Sequence, residues 1–292
     1  MSGFDFCIGI DWSGAVPARG IAAAEVSNGV ARPIAPPSRH WSRGEIVEAL
    51  AQRIEGGERL LVGIDCSLCL PWVPGEGYLD GRVPEIADLF QLWDLVEEAA
   101  QGAPDLSGGP VVADARFAAS FWISGPRPAG WKEHPGKLRQ AEIAALRGGH
   151  GQPVSVFHLA AGARQVGKAS LAGMRAARAL KRRLGDRLRV WPAESVAPGT
   201  SVIAEAFPTL FRRRSGAGTA KIRSASVLMD SLARLGCRAA PGLPATFDDH
   251  LGDAMILAAG LFQLSADPAI WHPSGLPPEL ARREAWIFGV PA

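Results

Sequence analysis

Two apolar runs in this chain each stop on an acid. Residues 4–11 read as a strand ending in Asp11, and residues 60–65 as a strand ending in Asp65. A continuous apolar run of this length suits a strand buried on both faces, so the pair points to an α/β sheet covered by helices. In such a sheet, acids at strand ends meet in the crevice where ligands bind. The same two residues therefore constrain both fold and function.

The rest of the chain fits around them. Residues 21–26 and 30–34 read as strands joined by the hairpin signal Asn28-Gly29. Ser42, with Glu45 three residues on, is a capping box. It opens a helix with Ile46, Val47, Leu50 and Ile54 on one face, which stops at Gly56-Gly57. Residues 66 to about 150 are dense in Pro and Gly and hold Trp72, Trp93, Trp122 and Trp131. They read as a helical insertion, with helices at about 84–100 and 138–147, that either forms a lid over one end of the sheet or extends the core. Residues 154–159, 188–191 and 202–206 read as strands, and 166–184, 219–235 and 247–264 as helices. No repeat or long linker divides the chain, so a single domain over residues 1–292 is expected.

Composition narrows the class. A chain of 292 residues can bury roughly three quarters of its unfolded surface without disulfides or metal. The longest wholly apolar run, residues 254–262, is too short to span a bilayer, and the start lacks a signal-peptide pattern. A soluble cytoplasmic chain with no membrane partner is expected. Cys66 and Cys69 form a C-x-x-C without the second pair a zinc site needs, and Leu70-Pro71 follows where a redox pair opens a helix. All four cysteines read as buried small side chains. Net charge is +2, yet residues 175–223 hold twelve Lys or Arg against three acids. That asymmetry fits either an anionic partner or a solvated helix face.

The acids carry the chemistry. Glu205 interrupts an apolar strand just before Phe207-Pro208, and Asp248, Asp249 and Asp253 open the last helix. Asp249 and Asp253, four apart, share a helix face. Alone, Asp11 and Asp65 suit strand-end caps, and Asp248 and Asp249 suit a helix N-terminus. Asp253 stands in an apolar helix, where an unpaired carboxylate is costly. Several carboxylates in one place repel one another, and Mg²⁺ or Mn²⁺ relieves that cost in an all-oxygen site. Two such ions about 4 Å apart support phosphodiester hydrolysis.

Rival patterns are present. Residues 162–169 fall one residue short of a phosphate-binding P-loop, because Ala169 lacks the hydroxyl that would hold Mg²⁺. The acidic strand also precedes this loop, the reverse of the usual order. Lys168 and its helix start still suit a phosphate. There is no Gly-x-Ser-x-Gly elbow for a serine hydrolase. His250 either shuttles a proton beside the acids or sits on a helix surface. Trp12, Trp41 and Trp72 suit base stacking or a core.

Several segments in order resemble domain-of-unknown-function family 429, predicted nucleases with a ribonuclease-H-like fold. They are Gly9-Ile10-Asp11-Trp12-Ser13-Gly14, the stretch from Gly63-Ile64-Asp65 to Pro71, Val166-Gly167-Lys168 through Met174, Val190-Trp191-Pro192, Glu205-Ala206-Phe207-Pro208, and Asp248-Asp249 through Asp253-Ala254. The resemblance implies an α/β ribonuclease-H-like mixed sheet, its first three strands antiparallel, flanked by helices. It implies a metal site in which Asp11 bridges, Asp65 is the second strand acid, Glu205 and Asp253 complete the set, and Asp249 assists. The insertion at about 66–150 departs from the family pattern. The expected function is a Mg²⁺- or Mn²⁺-dependent phosphodiester hydrolase, nuclease-like, acting on nucleic acid or a nucleotide-like phosphoester. Lys168, Arg175, Arg178 and Arg182 are the expected phosphate-binding residues. The alternatives are a non-catalytic nucleic-acid or nucleotide-binding protein, and an NTP-dependent phosphotransferase of actin-like, sugar-kinase or P-loop type.

Overall fold

The computed structural model describes residues 3–128, 131, 136–151, 153–159 and 166–292. The chain begins with β1 (Phe6–Asp11), β2 (Ala22–Ser27), β3 (Val30–Ile34), α1 (Arg43–Glu55) and β4 (Leu60–Ile64). The insertion follows, with β5 (Trp72–Val73), β6 (Gly77–Tyr78), α2 (Leu89–Ala99), α3 (Ala115–Ala118) and α4 (Gln140–Arg147). Then come α5 (Val166–Leu184), β7 (Leu188–Val190), β8 (Ser201–Glu205), α6 (Pro208–Arg214), α7 (Ala225–Arg234) and β9 (Arg238–Ala239). The chain closes with α8 (Asp249–Ser265), α9 (Pro268–Trp271) and α10 (Pro278–Glu284).

Seven strands make one mixed sheet in the order β7-β8-β4-β1-β2-β3-β9. β1, β2 and β3 run antiparallel, whereas β4, β8 and β7 run parallel to β1. This order and these directions are those of a ribonuclease-H-like sheet. Side chains alternate across it. Ile8, Ile10, Val62, Ile64 and Ile203 face a core closed by α1, α2 and α5. Cys7, Leu61, Val202 and Ala204 face a second core closed by α6, α7 and α8.

Helix α8 lies directly on β1 and β4 because the strands carry glycine beneath it. Gly9 and Gly63 are paired across the two strands. A Cβ on Gly9 would collide with the backbone of Ala254 and Ala258, and one on Gly63 would come within 2.9 Å of Leu257 and 2.7 Å of Leu261. The capping box of α1 forms as its sequence predicts, with the Ser42 hydroxyl accepting from the Glu45 amide and the Glu45 carboxylate accepting from the Ser42 amide.

The insertion extends the core. Leu68, Leu70, Tyr78, Trp93 and Phe117 are buried in the same cluster as Ile64 and Leu171. Three local expectations shift. α2 begins at Leu89 because the Asp88 carboxylate caps it, accepting from the amides of Phe90 and Gln91. α7 covers only Ala225–Arg234. Residues 154–159 form a turn rather than a strand, since the Ser155 hydroxyl takes the Phe157 amide and the Ser155 carbonyl takes that of His158. Among the described residues no helix is long and apolar enough to cross a membrane.

Replacing Gly9 with Ala forces α8 away from β1, and overpacking of this kind costs about 1–3 kcal/mol. The urea midpoint of Gly9→Ala is expected to fall accordingly at unchanged m; an unshifted midpoint would mean that the helix does not rest on this glycine.

Candidate functional site

The strand ends set the site. Ile10, Ile64 and Glu205 stand level across β1, β4 and β8. Asp11 and Asp65 come one residue later, and the Asp65 amide donates to the Ile10 carbonyl at 2.9 Å. Because side chains alternate, Asp11 and Asp65 turn toward α8, while Glu205 turns with Ile64 to the opposite face. α8 delivers Asp253 just before Ala254 and Leu257, the residues that rest on the two glycines. Three of the four predicted acids therefore meet on one face.

Each of the three has a different environment. Asp253 is 1% exposed and holds Arg212 and Lys221, one on each carboxylate oxygen. Asp11 is buried, and its Oδ2 lies 2.6 Å from Nδ1 of His250. Gly20 leaves room for that ring, since a Cβ there would be 2.7 Å from it. Asp65 is half-buried, and its carboxylate has no hydrogen-bond partner among the described residues. Burial, and then the charges of Asp11 and Asp253, push the Asp65 carboxyl well above the usual carboxylate range. Burial also raises Asp11, offset in part by its bond to His250. That same bond raises the His250 imidazole. His250 is thus neither a plain surface residue nor remote from the acids. Asp249, in the first turn of α8, pairs with Arg223 at 3.3 Å.

Glu205 is held on the other face by Arg139. Its two oxygens lie 2.5 and 2.6 Å from the guanidinium, and Oε2 also accepts from the Leu68 amide at 3.2 Å. Arg139 is fully buried and donates further to Glu142, the Ser67 hydroxyl and the Glu284 carbonyl. Burial lifts the Glu142 carboxyl above its ordinary value. Sequence reasoning missed Arg139, which lies in the irregular insertion. The one available signal was Glu142 three residues on, which accepts from the Arg139 amide as α4 begins. Among the described residues no group of three or more His, Cys, Asp or Glu is placed to hold a metal ion.

A cleft of about 800 Å³ opens over these strand ends. Asp65, Glu205, His250 and Lys168 line it, together with Trp12 and Phe207. Lys168 makes no ion pair among the described residues. The other predicted phosphate-binding residues lie elsewhere. Arg175 is buried, bidentate on Glu97 and bonded to the carbonyls of Ala103 and Ser107. Arg178 and Arg182 both bind Asp94 of α2. Of the P-loop-like segment, residues 162–165 lie outside the described residues. Gly167 serves packing, since a Cβ there would strike the Val156 carbonyl. All four cysteines are free and buried, and burial raises each thiol, Cys7 to about 12. Trp12 and Trp41 are core residues, and Trp72 lies under the Arg283 guanidinium.

Comparison of the chain with protein-family models, with curated proteins and with solved structures finds no match.

Two outcomes follow from these charges. Arg139→Met strands two buried carboxylates, and breaking a buried pair costs about 3–5 kcal/mol. Measured by urea unfolding, that loss is expected near neutral pH and should shrink as pH falls. Glu142, already raised by burial, takes up a proton there and sheds its unpaired charge. A deficit unchanged with pH would mean that lost packing dominates. Second, the His250 imidazole should titrate above its ordinary value in an NMR titration and move down in Asp11→Asn. The contact then stabilises the fold below the ordinary histidine value and is lost as pH rises through the raised one.

Proposed function

We propose that this chain is a cytoplasmic, metal-dependent phosphodiester hydrolase, nuclease-like in its chemistry and related to the predicted nucleases it resembles in sequence. The observation that carries this reading is the Asp65 carboxylate. It lines the cleft without a hydrogen-bond partner among the described residues, and burial, then the charges of Asp11 and Asp253, raise it. Clustered carboxylates of which one has no partner among the described residues suit a hard divalent cation, Mg²⁺ or Mn²⁺.

Asp11 and Asp65 would hold the cation. Asp253 stands beside them with its charge already answered by Arg212 and Lys221. When bound, such an ion polarises a phosphoryl oxygen and lowers the pKa of water. The protein's own groups do the rest. Asp11 fixes the His250 ring through Nδ1, so Nε2 is the atom left to take or give a proton at the cleft. Lys168, which makes no ion pair among the described residues, offers its ammonium to a phosphate oxygen. Glu205, locked by Arg139, shapes the cleft floor and lends no free carboxylate.

Calorimetric titration of Mn²⁺ tests this, with bis(4-nitrophenyl) phosphate as a hydrolysis probe. Wild type is expected to bind the ion and cleave the probe. Asp65→Asn and Asp11→Asn should lose ion binding and at least about 100-fold in rate, the scale of losing one electrostatic contact to a transition state. Glu205→Gln should keep the ion. A folded wild type that binds no Mn²⁺, with or without the probe, would turn the assignment to a non-catalytic binding protein.

A further inference from the structure

We infer that the occupant of the cleft is a phosphoester the size of one nucleotide, and that the protein does not track a nucleic-acid polymer. The inference rests on the phosphodiesterase reading of the same site and narrows its substrate. Two independent observations carry it: the fate of the basic stretch and the shape and lining of the cleft.

A polymer-binding enzyme presents unpaired cations in a stripe, because each phosphate contact neutralises one backbone charge. Residues 175–223 offer the cations for such a stripe, but the fold gives them carboxylates instead. Arg175 takes Glu97, and Arg178 and Arg182 take Asp94, so the inner half of α5 is answered by α2. Arg183 takes Glu48 and Glu55 of α1, and Lys181 takes Glu194. Arg212 and Lys221 take Asp253, and Arg223 takes Asp249. Within this stretch only Arg213 and Arg214 make no ion pair among the described residues, and they donate to the Gly149 carbonyl and the Gln263 side chain. The positive charge that the sequence concentrates here is spent on holding helices together. Among the described residues no arginine lines the cleft and Lys168 is its one lysine.

The cleft itself has the dimensions and make-up of a small-molecule site. Its volume of about 800 Å³ lies within the range of about 300–1,000 Å³ that such sites occupy. Its lining combines apolar and aromatic residues, Phe207, Val16, Val154 and the mostly buried Trp12, with the polar groups of Lys168, Asp65, His250 and Ser67. A ring-bearing group fits beside Phe207 and a single phosphate beside Lys168. Trp12 donates from Nε1 to the Ala169 carbonyl at 3.1 Å, which ties β1 to the start of the helix that carries Lys168. One ring and one phosphate, held by one cation, describe a nucleotide unit.

The test is calorimetric binding in the presence of Mn²⁺, with adenosine 5′-monophosphate, inorganic phosphate, a long single-stranded DNA and a DNA duplex as probes. The mononucleotide is expected to bind as tightly as either polymer. Its log affinity should fall with log salt at a slope near −1 or shallower, the value for a single phosphate contact. Lys168→Ala should weaken both the nucleotide and inorganic phosphate. Phe207→Ala should weaken the nucleotide by about fivefold, the lower end of base stacking on an aromatic, and leave inorganic phosphate unchanged. Lys168 is half-buried and unpaired, so its variant is expected to fold, and the salt slope is read on the wild type alone. A polymer bound at least tenfold tighter than the nucleotide, with a steep salt slope, overturns the inference and leaves the hydrolase reading standing. Mn²⁺ binding without any nucleotide binding also overturns it. Nucleotide binding by a protein that takes up no Mn²⁺ supports the small occupant and removes the hydrolase reading.

Discussion

Helix α8 can lie against β1 and β4 only because Gly9 and Gly63 have no side chains, and most of the site follows from that contact. With the helix backbone seated on the strands, Ala254 and Leu257 fall over the glycine pair. Asp253, immediately before them, is then carried to the ends of the same two strands, where Asp11 and Asp65 emerge two residues beyond the glycines. A larger residue at either glycine would lift the helix and separate its acid from the strand acids. Fold and site share one packing constraint, so a change that loosens this contact acts on stability and on site geometry together.

The convergence of Asp11, Asp65 and Asp253 was legible in the sequence, since an acid closing an apolar strand or opening an apolar helix has few comfortable alternatives. The separation of Glu205 was also written there, in the period-two alternation of its strand, but the register between strands was not. Glu205 stands level with Ile64, one residue short of the level of Asp65. A single step along the strand reverses the face. Only the pairing of β8 with β4 decides which acids share a side. Arg139 illustrates the opposite limit. A buried cation that travels through an irregular insertion to meet Glu205, 66 residues away, leaves no local pattern to read.

Charge counting along the chain failed for a related reason. Residues 175–223 look like an electropositive surface because most of their partners lie elsewhere in sequence, on α1, α2 and α8. Asp94 and Glu97 sit on a helix whose own face reads as amphipathic, and nothing local links them to Arg175 or Arg178. Once α2 packs on α5, the two charge patterns cancel. Net charge by segment reports on partners only after the fold has subtracted its internal pairs. Among the described residues the cation that reaches the cleft is Lys168, which lies outside that stretch.

That cation bears on how a phosphoester would be accepted. Asp253 has two cations of its own and Asp11 has His250, whereas the Asp65 carboxyl has no hydrogen-bond partner among the described residues, and burial holds it above the usual carboxylate range. On the reading proposed above, an ionised Asp65 would repel a phosphate brought to Lys168, and a divalent cation held by Asp11 and Asp65 would relieve that repulsion. Ion and substrate would therefore favour each other's binding, and by linkage the coupling is reciprocal. A weak affinity for the ion alone would then be a property of the charge arrangement, set by the single unpaired carboxylate, rather than a sign of an incomplete site.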